Sequence, residues 1–126
     1  MTFLRKDANK KARGAQAELL AEAFLQRQGL TCIERNYRCA GGEIDLIMRD
    51  ANTLVFVEVR LRSNRYFAQA SETVDYRKQH KITRAAQHFL LTRRLVDKVP
   101  CRFDVVALTG MGSENIEWIK SAFNAA

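Results

Sequence analysis

Two carboxylates lie inside the most apolar stretch of this chain. The stretch runs from Glu43 to Arg62, and the acids are Asp45 and Glu58. A cation, Arg60, follows two residues after Glu58. A buried carboxylate is costly unless it is paired, hydrogen-bonded or bound to a metal. Two such acids side by side repel, and a cation between them relieves the repulsion. Oxygen ligands on a rigid sheet suit Mg²⁺ or Mn²⁺. The competing reading is that both acids pair with arginines on a solvated sheet face, since a D…ExR pattern is short and common.

The elements that must position these acids follow from periodicity. Glu43–Asp50 and Leu54–Arg62 read as strands joined by a turn at Asp50–Thr53, which makes a hairpin. Strict alternation puts Glu43, Asp45 and Ile47 on one face of the first strand and Ile44, Leu46 and Met48 on the other. In the second strand Val55, Val57, Val59 and Leu61 share a face, opposite Phe56, Glu58, Arg60 and Arg62. Upstream, Lys11–Gln28 reads as a helix with Ala15, Leu19 and Ala23 on its apolar side, flanked by Leu20 and Phe24 and stopped at Gly29. Glu18 and Glu22 share one flank of it, with solvation as their default role. Leu30–Asn36 reads as a strand and Tyr37–Gly42 as a loop.

Downstream, Ser63–Ala70 reads as a loop carrying the aromatics Tyr66 and Phe67. A second helix spans Ser71–Arg94, with an apolar stripe of Ile82, Ala85, Ala86, Phe89 and Leu90. Arg77, Lys78, Lys81 and Arg84 fall on or beside its opposite side, and His80 and His88 read as surface residues. Arg102–Leu108 and Glu114–Ile119 are the last strands, with a turn at Gly110–Ser113, and a tail carries Ala122 and Phe123. The order is α-β-β-β-α-β-β, an α/β (α+β) class in which helices flank a mixed sheet.

The 126 residues fit one domain, 12–126, behind a basic leader, 1–11, expected to be mobile. A hydrophobic content of 47% argues against disorder. Cys32, Cys39 and Cys101 form no CxxC pair, which argues against a zinc site or disulfide framework and for a reducing cytoplasm. No apolar run reaches membrane-spanning length, so no membrane partner is expected. The net charge is +7 and the pI about 9.7. The excess lies between Arg60 and Lys98, where ten cations meet three acids. Arg62, Arg65, Arg77, Lys78, Lys81 and Arg84 make the basic surface that follows the acidic strand. That surface suits a polyanion such as nucleic acid.

The residues Gly14…Glu18…Ala21…Phe24-Leu25…Gly29, Arg35-Asn36-Tyr37-Arg38, Gly42-Glu43-Ile44-Asp45-Leu46-Ile47, Val55-Phe56-Val57-Glu58-Val59-Arg60, Lys78, Ala86, Arg102-Phe103-Asp104-Val105-Val106 and Ala122-Phe123 resemble the YraN family of small bacterial proteins. The resemblance covers Gly14 to Phe123. It implies a restriction-endonuclease-like fold, that of the PD-(D/E)XK nuclease superfamily, which includes archaeal Holliday-junction resolvases. It implies that Asp45 and Glu58 are metal-binding acids, that the Val59 carbonyl is a further ligand, and that Glu18 completes the shell around Mg²⁺ or Mn²⁺. Arg60 stands at the superfamily's lysine position. Arginine stays charged where lysine can lose a proton, so Arg60 is left to stabilise phosphate charge or orient water.

The expected function is therefore a metal-dependent endonuclease acting on DNA, branched DNA included. Asp45, Glu58 and Arg60 would be catalytic. A homodimer is the form in which such nucleases cut two strands. The alternatives are a non-catalytic nucleic-acid-binding module of the same fold and a protein-interaction factor meeting an acidic partner.

Overall fold

The computed structural model describes residues 2–62, 74–110 and 115–125, with side chains from Lys11 onward. The expected loop at Ser63–Ala70, with Arg65, Tyr66 and Phe67, lies outside the described residues, as do the expected start of the second helix at Ser71 and most of the turn at Gly110–Ser113. Seven elements follow in the order α1 (Thr2–Arg27), β1 (Thr31–Cys39), β2 (Gly42–Asp50), β3 (Thr53–Arg62), α2 (Tyr76–Thr92), β4 (Cys101–Thr109) and β5 (Ile116–Phe123). The order α-β-β-β-α-β-β matches the sequence reading. The five strands lie side by side in chain order. Only β3 and β4 are parallel, joined across α2; the other neighbours are antiparallel. This is a mixed α+β sheet.

The two helices cover opposite faces. α1 lays Ala17, Ala21 and Leu25 on Leu46, Met48, Val55, Val57, Val106 and Leu108. α2 lays Ile82, Ala85, Ala86 and Phe89 on Ile44, Ile47, Phe56 and Val105. From Leu54 to Glu58 both faces of β3 are therefore dry, which explains the apolar run there. Its alternation holds as read: Val55 and Val57 face α1, while Phe56 faces α2.

Several details differ from the sequence reading, each for a local reason. The stripe of α1 is Ala17, Ala21 and Leu25, and Leu19 is 61% exposed. Ala15 is exposed as well. Two ladders of two alanines and one leucine run along this helix, and the sheet takes the one made of Ala17, Ala21 and Leu25. α1 also starts at Thr2, ahead of the expected Lys11. β1 runs on to Cys39, which pairs with Gly42, so the expected Tyr37–Gly42 loop shrinks to Ala40–Gly41. α2 starts after Asp75, whose carboxylate caps the helix by accepting from the Lys78 N–H at 2.9 Å. It ends at Thr92, ahead of the expected Arg94, which adopts a left-handed φ of 56°. The expected tail is part of β5, and Phe123 stacks on Phe103 with centroids 5.1 Å apart.

The β1–β2 turn is wedged against α2. A Cβ on Gly42 would run into the Lys81 carbonyl oxygen, and it would lie 3.0 Å from the Lys81 Cα. Only glycine lets the strand pass the helix backbone so closely. Gly42→Ala is expected to cost roughly 1–3 kcal/mol through overpacking, read as a lower urea midpoint with an unchanged slope. An unaltered midpoint would mean that the hairpin and α2 separate freely.

Candidate active site

Alternation in β2 breaks at Asp45, and this break builds the site. Ile44 packs with Ile47 under α2, while Leu46 and Met48 face α1. The expected sharing of one face by Ile44, Leu46 and Met48 is thus corrected. The cause is visible in the neighbours. Asn36, opposite Asp45 in β1, takes a left-handed φ of 52°. The ladder between β2 and β3 begins at Leu46↔Val57 and runs to Asp50↔Thr53, so Asp45 has no ladder partner on β3. Its side chain fills the gap, and Oδ2 accepts from the Val59 N–H at 2.8 Å. Opened strands and a carboxylate bonded across them hold Asp45 beside Glu58.

Glu58 lies on the α2 face of β3 and is 3% exposed. Its Oε1 is 2.7 Å from Lys78 Nζ. Burial pushes the Glu58 carboxyl up to about 7, with the nearby Asp45 charge adding to the rise and Lys78 and Arg60 opposing it. Burial likewise raises Asp45, against its Val59 hydrogen bond and the charges of Lys78 and Arg60. Glu18, on α1, is raised by burial and then by Asp45, while its hydrogen bond from the Asn36 side chain opposes this. Asp45, Glu58, Arg60 and Lys78 therefore form one electrostatic unit, and Glu18 senses it through Asp45. Among the described residues, no three acids, histidines or cysteines gather in a group that could hold a metal ion.

The remaining cations divide. Arg62 is drawn to Glu117 at 3.1 Å with its side chain 10% exposed, which ties β3 to β5. Arg65 lies outside the described residues. Arg77, Lys81 and Arg84 are exposed on α2. A cleft of about 570 Å³ separates the β1–β2 turn from the start of α2. It is lined by Arg38, Arg77, Lys78 and Lys81 as well as Glu43 and Asp75. Lys78 belongs to both the cleft and the acid pair.

Lys78 was legible as a cation but not as the partner of Glu58. It precedes Ile82, Ala85 and Phe89 by four, seven and eleven residues, which is the spacing of the buried stripe. Extending that stripe by one turn toward the N-terminus would have placed it inward. Glu22 is also not the solvated acid expected: it is 5% exposed and held by Arg35, with Nη2 2.6 Å from Oε2. Arg35 keeps its carboxyl below the usual range. His88 is exposed, as read, but its Nδ1 meets the Tyr37 hydroxyl. Asp104 is wholly buried on the α1 face, away from the acid pair. Its carboxylate accepts from Arg102 Nε at 3.1 Å, Trp118 Nε1 at 2.9 Å and the Ser121 N–H at 2.9 Å.

Comparison with known proteins adds the family. The model of "Uncharacterised protein family UPF0102" matches residues 17–108, more than half of the chain. The chain belongs to this family. UPF0102 is the YraN family that the sequence resembles. Similar UPF0102 proteins include one from Nitrosospira multiformis, 54% identical over 89% of this chain and 92% of its own length. Another, from Saccharophagus degradans, is 54% identical over 87% and 91%. A third, from Pseudomonas syringae pv. syringae, is 49% identical over 89% and 93%. The UPF0102 match contains Glu18, Asp45, Glu58, Arg60 and Lys78. No helix among the described residues is long and apolar enough to cross a membrane.

Proposed function

We propose that this UPF0102 protein is a divalent-metal-dependent nuclease that hydrolyses phosphodiesters in DNA. The observation that carries the reading is the convergence of Asp45, Glu58, Arg60 and Lys78 at the point where β2 and β3 separate. Carboxylates raised by burial beside a cleft are a feature that catalytic sites share. The positions of the acids on two adjoining strands agree with the resemblance to PD-(D/E)XK nucleases.

The donor set fits a hard cation. Asp45 and Glu58 offer carboxylate oxygens, and the Asp45 charge adds to the rise of the Glu58 carboxyl. A divalent ion would remove that repulsion. Asp45 and Glu58 would hold Mg²⁺ or Mn²⁺, with Glu18 close enough to add negative charge. Bound there, the ion supplies Lewis-acid polarisation of a phosphate and acidification of water. Arg60 stays charged and steadies the charge that develops on phosphorus oxygens. Lys78 holds Glu58 from the helix side and presents its ammonium to the cleft. Arg77, Lys81 and Arg84 attract the backbone without reading bases.

Thermal or urea unfolding with and without metal tests this. Mn²⁺ at ten times its Kd is expected to add about 1.4 kcal/mol to stability. The Asp45→Asn, Glu58→Gln double variant should lose that increment, and wild-type cleavage of a labelled duplex or branched DNA should vanish in Asp45→Asn. An increment that survives in the double variant would put the metal elsewhere and sink the proposal. A second reading has one observation in its favour: Lys78 already neutralises Glu58, as it would in a binding module without catalysis. Metal-independent DNA binding with no cleavage would select it.

A further inference from the structure

The geometry points to the cleft and the outer face of α2 as a seat for an unpaired DNA strand, in which one nucleotide enters the cleft and the base of a neighbouring nucleotide stacks on Tyr76 outside it. This rests on the nucleic-acid reading above and specifies the substrate class. Three observations converge on it.

The first is size. A cleft of about 570 Å³ falls among sites that hold one small ligand, roughly 300–1,000 Å³. It admits a nucleotide but not a double helix. Its walls are the Ala40–Gly42 turn and the first turns of α2, and the close approach at Gly42 fixes one against the other.

The second is charge. The two acids of the cleft are both engaged: Glu43 with Arg38 at 3.1 Å, and Asp75 with the Lys78 N–H. Arg77, Lys81 and Arg84 are in no ion pair among the described residues and face solvent along one side of the helix. The positive charge left over is open to a phosphate chain. Lys78 lines the cleft and touches Glu58, so one side chain joins the cleft to the acid pair.

The third is an aromatic in the right place. Tyr76 lies outside the cleft lining, on the outer face of α2 next to Arg77, and is 68% exposed. His80 meets its ring in a T-shaped contact, with centroids 4.7 Å apart. That contact steadies the ring while leaving most of it in water. An exposed aromatic among cations is the stacking platform of single-strand binders, because every base offers a π-face. In a duplex the bases are stacked on one another and cannot reach it.

The test is fluorescence anisotropy in EDTA, with a labelled 15-nucleotide single strand and a labelled duplex of equal length. The wild type should bind the single strand at least ten-fold more tightly. Tyr76→Ala should lose about ten-fold on the single strand alone, and Tyr76→Phe should keep the wild-type affinity. Equal or tighter duplex binding would overturn the inference, and so would a Tyr76→Ala loss that is the same on both ligands. The Mn²⁺ stabilisation of Tyr76→Ala reports the acid pair separately. If that increment persists while the single-strand preference is absent, the inference falls and the nuclease reading stands. If the increment is absent in the wild type too, the nuclease reading falls, and single-strand preference is judged by anisotropy alone.

Discussion

Asp104→Ala is expected to lower stability by about 3–5 kcal/mol, the largest single-residue effect in this fold. Asp104 has no exposed surface, and donors converge on it from β4 and β5. Removing the carboxylate leaves the Trp118 and Ser121 N–H groups without acceptors, at about 1–3 kcal/mol each. Arg102 loses one of its two acid partners and keeps Asp50 at 3.0 Å. Asp104→Asn should be nearly as damaging despite its similar shape. Its amide can present one oxygen, but its NH₂ must face donors. Urea denaturation of both variants checks this. A loss under 1 kcal/mol in either would mean that β5 is held by its apolar contacts alone.

The second large effect depends on pH. Stability is expected to fall by roughly 3 kcal/mol as pH rises from 4.5 to beyond 7, and Glu58→Gln should remove most of that fall. The Glu58 carboxyl is raised from its ordinary 4.5 to about 7, chiefly by burial. Between those values the folded protein holds a proton that the unfolded chain has released. The stabilising contribution is therefore fully present below 4.5 and is lost as pH rises through 7. Asp45 is raised too and acts in the same direction, so a residual slope should remain in the variant. Denaturant midpoints at half-unit steps from pH 4.5 to 9 measure it. A wild-type profile that is flat, or that climbs over this range, would contradict a buried, ionisable Glu58.

The element order, both helices and the alternation in β3 were readable from residue spacing, because each rests on one apolar period. The two acids were readable too, since carboxylates inside apolar strands are conspicuous. Three things were not. The break at Asp45 depends on Asn36 in a different strand, and no local pattern announces a left-handed residue there. The stripe of α1 was misread because Ala15-Leu19-Ala23 and Ala17-Ala21-Leu25 have the same spacing, and only the sheet decides between them. Asp104 lay in an apolar strand just as Asp45 does, yet its partners Trp118 and Ser121 lie beyond a turn. Sequence marks a buried acid; the pairing that tells a structural acid from a reactive one is tertiary.

The bulge opposite Asp104 also affects how molecules of this protein meet one another. An open sheet ends in two rows of backbone groups that can recruit a strand from another chain. At β5, the register shifts between Phe103 and Val105 and Ser121 takes a φ of 51°, so the outer strand does not run straight. Lys120, next to the kink, is exposed and sits over the Trp118 ring. At β1 the other edge carries Arg35 and Arg38 in the open and is interrupted by Asn36. Both borders are bent and charged, which protects a concentrated solution from edge-to-edge polymerisation. The same kinked residue that helps open the acid site thus also blunts one border against aggregation.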